Sequence, residues 1–142
     1  MKGRYELTRI LVVDDYAAWS DYACVALEKD PQFKIVAAIS DGLEAVRRAQ
    51  ELQPDLIILD VGLPNLNGLE AARRILHLVP QIKVLFLSEH DSCDIVEEAL
   101  KTGANGYVLK SYAGNELLAA AKAVLGGQMF ISKILADRGF LT

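Results

Sequence analysis

Five short apolar runs, separated by segments with helical periodicity, limit the folds open to this chain more than any other feature. The runs cover residues 10–13, 35–39, 56–59, 84–87 and 107–109. Between the first two runs, apolar residues recur at the three-and-four spacing of one helix face, as Trp19, Tyr22, Ala23, Ala26 and Leu27 do. Strict alternation with short connections favours parallel strands joined by right-handed crossovers. The sequence therefore predicts an α/β fold with five strands, five helices and helices on both faces of the sheet.

Polar residues follow four of these runs. Asp14 and Asp15 follow the first run, Asp60 the third, Ser88 the fourth and Lys110 the fifth. The carboxyl ends of parallel strands lie on one edge of a sheet, and ligands bind where the strand order reverses. Asp60 closes the apolar stretch LIILD, and a carboxylate at the end of a strand buried on both faces needs a partner. We therefore expect these side chains to converge on one site.

Three converging carboxylates predict a cation, because they otherwise repel one another. Mg²⁺ suits such a site, since it binds one or two carboxylates, keeps several waters and completes its octahedron with phosphate oxygens. An aspartate can also attack phosphorus and form an acyl phosphate. Lys110 and Ser88 would then share the charge of the phosphoryl oxygens with the metal.

Four motifs carry a resemblance to a known family. ILVVDD, LIILDVGLPNLNG, VLFLS and GYVLKS, in this order and spacing, resemble the receiver domain of bacterial two-component response regulators. The resemblance covers residues 8–127 and implies a flavodoxin-like (βα)5 three-layer sandwich, with a parallel five-stranded sheet in the order 2-1-3-4-5. The segments DGLEA, LNGLEAARRI and ELLAAAKAVLGGQMFIS are most similar to the NarL/FixJ-type subfamily, whose output is a LuxR-type helix-turn-helix domain.

The resemblance assigns roles to the acidic residues. It makes Asp60 the phosphoacceptor and a metal ligand, and Asp15 a direct ligand of Mg²⁺. Asp14 would act largely through water, and the backbone carbonyl of Gly62 would complete the protein's share of the coordination.

The resemblance also assigns the remaining site residues. Lys110 would hold the phosphoryl group, Ser88 would hydrogen-bond it, and Tyr107 would move inward behind the serine as an aromatic switch. Glu89 stands where the family usually has a small residue, so we expect it to narrow phosphoryl access. His90 lies two residues past Ser88, where a side chain can influence the water that hydrolyses the acyl phosphate.

The function implied is a phosphorylation-controlled switch that accepts a phosphoryl group from a sensor histidine kinase and controls an output, transcription above all. Such a protein is not an enzyme beyond catalysing its own phosphorylation and slow dephosphorylation, and a receiver–receiver homodimer is a further expected partner. Two alternatives stay open: a stand-alone receiver that acts through protein–protein interaction, and a phosphohydrolase of the haloacid dehalogenase type. Those hydrolases carry a second aspartate two residues after the nucleophile, where this chain has Gly62.

Length and composition set the remaining expectations. A chain of 142 residues suits one domain, placed at 8–127, and leaves residues 128–142 as an extension or the start of a linker to an output domain. Leu141 and Thr142 resemble the start of that output domain. The net charge of −4 argues against DNA binding by this segment, so DNA contact would need the output domain. Two cysteines outside any ligand spacing, with neither a signal peptide nor a membrane span in the sequence, predict a cytoplasmic protein.

Overall fold

A computed structural model describes residues 6–140 of the chain; Leu141 and Thr142, the two residues compared above with an output domain, lie outside the described residues. The strands are β1 (Thr8–Val13), β2 (Phe33–Ile39), β3 (Leu56–Leu59), β4 (Lys83–Ser88), β5 (Gly106–Leu109) and β6 (Phe130–Ile131). The helices are α1 (Ala17–Leu27), α2 (Gly42–Leu52), α3 (Gly68–Leu78), α4 (Cys93–Lys101), α5 (Ala113–Leu125) and α6 (Lys133–Asp137), and a 3₁₀ turn (Lys110–Tyr112) precedes α5.

The strands form one parallel sheet in the order β2-β1-β3-β4-β5-β6. The predicted flavodoxin-like fold and the order of its first five strands are confirmed. Val13 pairs with Leu59, and Ser88 pairs with Leu109, so neighbouring strands end at the same level. This register brings the residues that follow β1, β3 and β5 to one edge of the sheet.

Apolar side chains fill both faces of the sheet. One buried cluster joins alternate residues of the strands to α2, α3, α4 and α6, and the other joins the intervening strand residues to α1 and α5. All four residues of β3 are buried, as a central parallel strand covered on both faces requires. Asp60 therefore follows a strand that is enclosed on both faces.

Side-chain caps and one close approach fix the helices that border the site. Asp41 and Asn67 cap α2 and α3, and each accepts a hydrogen bond from the backbone N–H three residues later. A Cβ at Gly68 would lie 1.9 Å from the carbonyl oxygen of Asp60, so only glycine allows α3 to begin this close to the site. The Gly68 N–H also donates to the Val61 carbonyl at 2.7 Å.

The prediction of five strands and five helices needs a correction, because the chain adds β6 and α6 after α5. β6 pairs with β5 through only two residues, Phe130 and Ile131, so it has no periodic pattern of its own. It forms because β5 offers a free edge beside it, and Leu135 of α6 is fully buried against the core. Among the helices of residues 6–140, none has the length and apolar character needed to cross a membrane.

Candidate functional site

Asp14, Asp15 and Asp60 meet at the carboxyl edge of the sheet. One carboxylate oxygen from each residue lies within 4.8 Å of the others. Asp14 and Asp60 are buried, whereas Asp15 is exposed. Backbone N–H groups hold the two buried carboxylates: Tyr16 donates to Asp14 Oδ1 at 2.9 Å, and Val61 donates to Asp60 Oδ1 at 2.9 Å. In both residues, Oδ2 is therefore the oxygen left for other partners.

Lys110 bridges the two buried carboxylates. Its Nζ lies 2.9 Å from Asp14 Oδ2 and 3.5 Å from Asp60 Oδ2, and the residue is only 6% exposed. The ammonium group also lies 5.2 Å from the centre of the Trp19 ring, within cation–π range. The lysine is thus fixed on three sides and directed at the acidic group.

Burial is the main cause that raises the pKa of Asp60. The Lys110 charge opposes this shift, and the neighbouring Asp14 carboxylate adds to it. Burial by itself would lower the pKa of Lys110, but the hydrogen bond to Asp14 and the charge of Asp60 together raise it. Lys110 therefore stays positively charged, whereas burial destabilises the ionised form of Asp60.

A cleft of 370 Å³ opens above these groups. It is lined by Asp15, Tyr16, Asp60, Gly62, Glu89, His90 and Lys110. Its polar lining supplies carboxylate and carbonyl oxygens, which a hard cation prefers. The acidic group can therefore bind a metal ion, and Asp15 and Asp60 face the cleft in which such an ion would lie.

Ser88 and Tyr107 lie beneath the loop that forms one wall of the cleft. Both side chains are fully buried. Ser88 Oγ accepts a hydrogen bond from the His90 N–H at 3.1 Å, and the Tyr107 hydroxyl donates to the His90 carbonyl at 2.6 Å. Burial raises the pKa of Tyr107 to about 12, so its hydroxyl remains a donor. Tyr107 already occupies the inward position here, and it holds the 88–90 loop from below.

The structure thus brings together Asp14, Asp15, Asp60 and Lys110, whereas Ser88 is buried beneath the loop and is not among the residues that line the cleft. Sequence reasoning placed Trp19 only on one face of a helix and did not anticipate its contact with Lys110. Tyr16 was also missed as a lining residue, although its position directly after the acidic pair was a usable signal. Glu89 and His90, noted for their places after Ser88, both line the cleft.

Comparison with known proteins supports the same reading. A family model for the response regulator receiver domain matches residues 10–122. The transcriptional regulatory protein DegU of Brevibacillus brevis is 37% identical over 123 residues, which cover 87% of this chain and 52% of the relative. The chemotaxis protein CheY of Listeria monocytogenes is 33% identical over 114 residues, covering 80% of this chain and 95% of that protein.

A solved structure shows the same architecture. The LuxR-family two-component response regulator from Aurantimonas sp. SI85-9A1 superposes with a TM-score of 0.88 at 32% identity, and the match covers 93% of this chain and 94% of that one. The chain spans about half the length of the first curated regulators that it matches. Receiver domains of this kind are signalling switches, and by the extent of the family match this chain belongs to the response regulator receiver domain family.

Proposed function

We propose that the chain accepts a phosphoryl group from a sensor histidine kinase on Asp60 and thereby changes conformation to control an output, which is transcription. The observation that carries this proposal is the position of Asp60, which follows a central strand, lies beside Lys110 and the acidic pair, and lines the cleft. In this proposal residues 8–127 form the phosphoacceptor domain, and residues 128–142 are a C-terminal extension or the start of a linker to an output domain.

Asp60 would act as the nucleophile. One of its carboxylate oxygens attacks phosphorus of the phosphohistidine, the P–N bond breaks, and the imidazole leaves with the electron pair and takes up a proton. Lys110, already 3.5 Å from Asp60, would neutralise a phosphoryl oxygen. Ser88 would turn its hydroxyl toward the new phosphoryl group and give up its contact with the His90 N–H.

Mg²⁺ is the metal that suits the site, with Asp15, Asp60 and the Gly62 carbonyl as ligands and Asp14 acting largely through water. When bound, it would supply positive charge that stabilises the transferring phosphoryl group. Asp14 Oδ2 is taken by Lys110 at 2.9 Å, which favours Asp15 as the stronger ligand.

The signal would pass from Ser88 to the loop that Tyr107 holds. The Tyr107 hydroxyl bonds the backbone of His90, so a movement of this loop changes the packing of β5 and α4. We place the protein in the cytoplasm, where Cys24 and Cys93 stay reduced, and we assign DNA contact to the output domain and receiver–receiver pairing to this one.

Phosphorylation with acetyl phosphate tests the proposal. In the presence of Mg²⁺ we expect intact-mass spectrometry to show one added phosphoryl group on the wild-type chain. Asp60→Asn should abolish it, and the matched exposed control Asp21→Asn should retain it. Undiminished labelling of the Asp60→Asn variant would show that another residue is the acceptor.

A further inference from the structure

The carboxyl end of β5, from which Lys110 departs, is held on its outer side by the segment that follows α5. β6 pairs with β5 at Gly106 and Tyr107, and the next residue, Ser132, donates its backbone N–H to the Tyr107 carbonyl at 2.9 Å. A Cβ at Gly106 would lie 2.6 Å from the Phe130 carbonyl oxygen, so the two backbones are in close contact. The segment is therefore built against β5 and does not merely lie near it.

The Ser132 side chain continues this contact after β6 has ended. Its Oγ accepts a hydrogen bond from the Leu109 N–H at 2.9 Å, and its hydroxyl donates to Glu116 Oε1 at 2.5 Å. The other carboxylate oxygen of Glu116 accepts from the Lys133 N–H at 3.0 Å. A serine hydroxyl has one proton, so donation to Glu116 leaves its oxygen free to accept from Leu109. The direction of this chain of hydrogen bonds is therefore fixed.

The hydrogen bond from the Leu109 N–H to Ser132 involves the residue directly before Lys110. Leu109 pairs in register with Ser88 on the inner side and bonds Ser132 on the outer side, so both neighbours fix its peptide. Lys110 then begins the 3₁₀ turn, and its carbonyl accepts from the Ala113 N–H. The Lys110 side chain starts from this clamped backbone and reaches Asp14 and Asp60.

The Ser132 side chain is fully buried, and Glu116 is partly buried. Loss of the Ser132 hydroxyl would leave the Leu109 N–H buried without its acceptor, and the strand end would shift or admit water to satisfy it. A small displacement of a group that positions a reacting phosphoryl oxygen has a large effect on rate. The contact therefore has a consequence at the site as well as for stability.

We propose that Ser132, together with Glu116, is a positioning residue that holds the end of β5 so that Lys110 is directed at Asp60. Residues 128–140 thereby form part of the phosphoacceptor machinery, although the sequence reads as a linker there. The inference rests on the proposed function, because Lys110 matters for phosphoryl transfer only if Asp60 is the acceptor.

The test uses Ser132→Ala in the full chain. Glu116→Ala is a second variant, which removes the acceptor of the Ser132 hydroxyl and changes a side chain that is only partly buried. Arg138→Gln is the matched control, because Arg138 ties the same segment to Asp91 at 3.4 Å through an exposed contact that does not involve Leu109. Three quantities are measured well below the melting temperature: the acetyl phosphate phosphorylation rate, the Mg²⁺ affinity and the amide hydrogen exchange of Leu109.

We expect both alanine variants to become phosphorylated about 10-fold more slowly, because loss of a contact that supports a reactive group commonly has an effect of this size. Leu109 should lose protection from exchange, while Mg²⁺ affinity stays within about twofold, because the carboxylates do not depend on Ser132. Ser132→Thr, which keeps the hydroxyl, should recover much of the rate. The Arg138→Gln control should match wild type in all three measurements.

Wild-type phosphorylation rates in both alanine variants, with Leu109 exchanging faster, would overturn the positioning role. A parallel fall in Mg²⁺ affinity would also overturn it, since general loosening of the site would then explain the rate. If the wild-type chain takes no phosphoryl group, the proposed function itself fails. The claim that Ser132 orients Lys110 is then tested separately by the NMR shifts of the Lys110 ε-methylene group. Identical shifts in wild type and Ser132→Ala would refute this claim.

Discussion

Replacing Asp60 by asparagine should stabilise the metal-free protein, although it removes half of an ion pair. Asp60 is 7% exposed, and its ionised form faces both the Lys110 ammonium and the Asp14 carboxylate. Asparagine has nearly the same shape, and its one carbonyl oxygen can still accept the hydrogen bond from the Val61 N–H. Its NH2 group would replace the oxygen that lies 3.5 Å from Lys110, while Lys110 keeps its shorter contact with Asp14. The substitution therefore removes the charge and the long contact with Lys110, and it keeps the volume of the side chain.

The magnitude follows from opposing electrostatic contributions. At an effective dielectric constant of about 20, charges separated by the 3.5 Å between Lys110 and Asp60 attract by about 5 kcal/mol. Carboxylates at the 4.8 Å limit of the acidic group repel by about 3.5 kcal/mol. The small surplus of attraction does not offset the several kcal/mol that a buried ion loses in hydration. We expect the variant to gain about 1.5 kcal/mol in unfolding free energy, or about 5 °C in melting temperature.

The pH dependence gives a second check on the same cause. The pKa of Asp60 is raised in the folded state, so the folded protein binds its proton more tightly than the unfolded chain does. Wild-type stability therefore falls as the pH rises through the interval between the unfolded and folded pKa values. The advantage of the variant should be complete above this interval and should vanish below it, where Asp60 is neutral in both states.

Urea unfolding in EDTA at several pH values measures both effects. The exposed Asp21→Asn variant serves as control and should stay within about 0.5 kcal/mol of wild type. A less stable Asp60→Asn variant at pH 7 would show that the attraction to Lys110 outweighs desolvation. An advantage that does not change with pH would show that its origin is packing, so either result would refute the electrostatic reasoning.

Three further expectations concern the site and its frame. Gly68→Ala should destabilise the fold by about 1–3 kcal/mol and slow phosphorylation, because the added Cβ would lie 1.9 Å from the Asp60 carbonyl oxygen. Thermal melting and phosphoryl labelling measure these effects, and an unchanged melting temperature would contradict the close approach. Gln53→Gly should add about 0.5 kcal/mol in urea unfolding, because the exposed Gln53 has a left-handed φ of 44°; a loss of stability would count against this. Asp15→Ala should weaken Mg²⁺ binding, followed by Trp19 fluorescence, more than Asp14→Ala does, since Lys110 already occupies Asp14; the reverse order would exclude Asp15 as the main ligand.

The sequence alone was sufficient for the first five strands and helices and for the location of the site. Each of the first five strands contains an apolar run that is long enough to recognise in the sequence. Strict alternation of these runs with helices favours a parallel sheet. The carboxyl ends of such strands share one edge, so Asp15, Asp60 and Lys110 could be placed together from their order in the chain. Their chemical roles stay predictions until phosphorylation is measured.

Tertiary structure decided everything that depends on contacts between distant segments. β6 has two residues and forms only because β5 offers a free edge, so no local sequence pattern predicts it. The link from Leu109 through Ser132 to Glu116 ties β5 and α5 to a residue that lies 23 and 16 positions further along the chain. The raised pKa of Asp60 likewise depends on how deeply the packed helices bury it. Local periodicity encodes strands and helices, whereas burial, strand edges and hydrogen-bond partners arise only when the elements pack together.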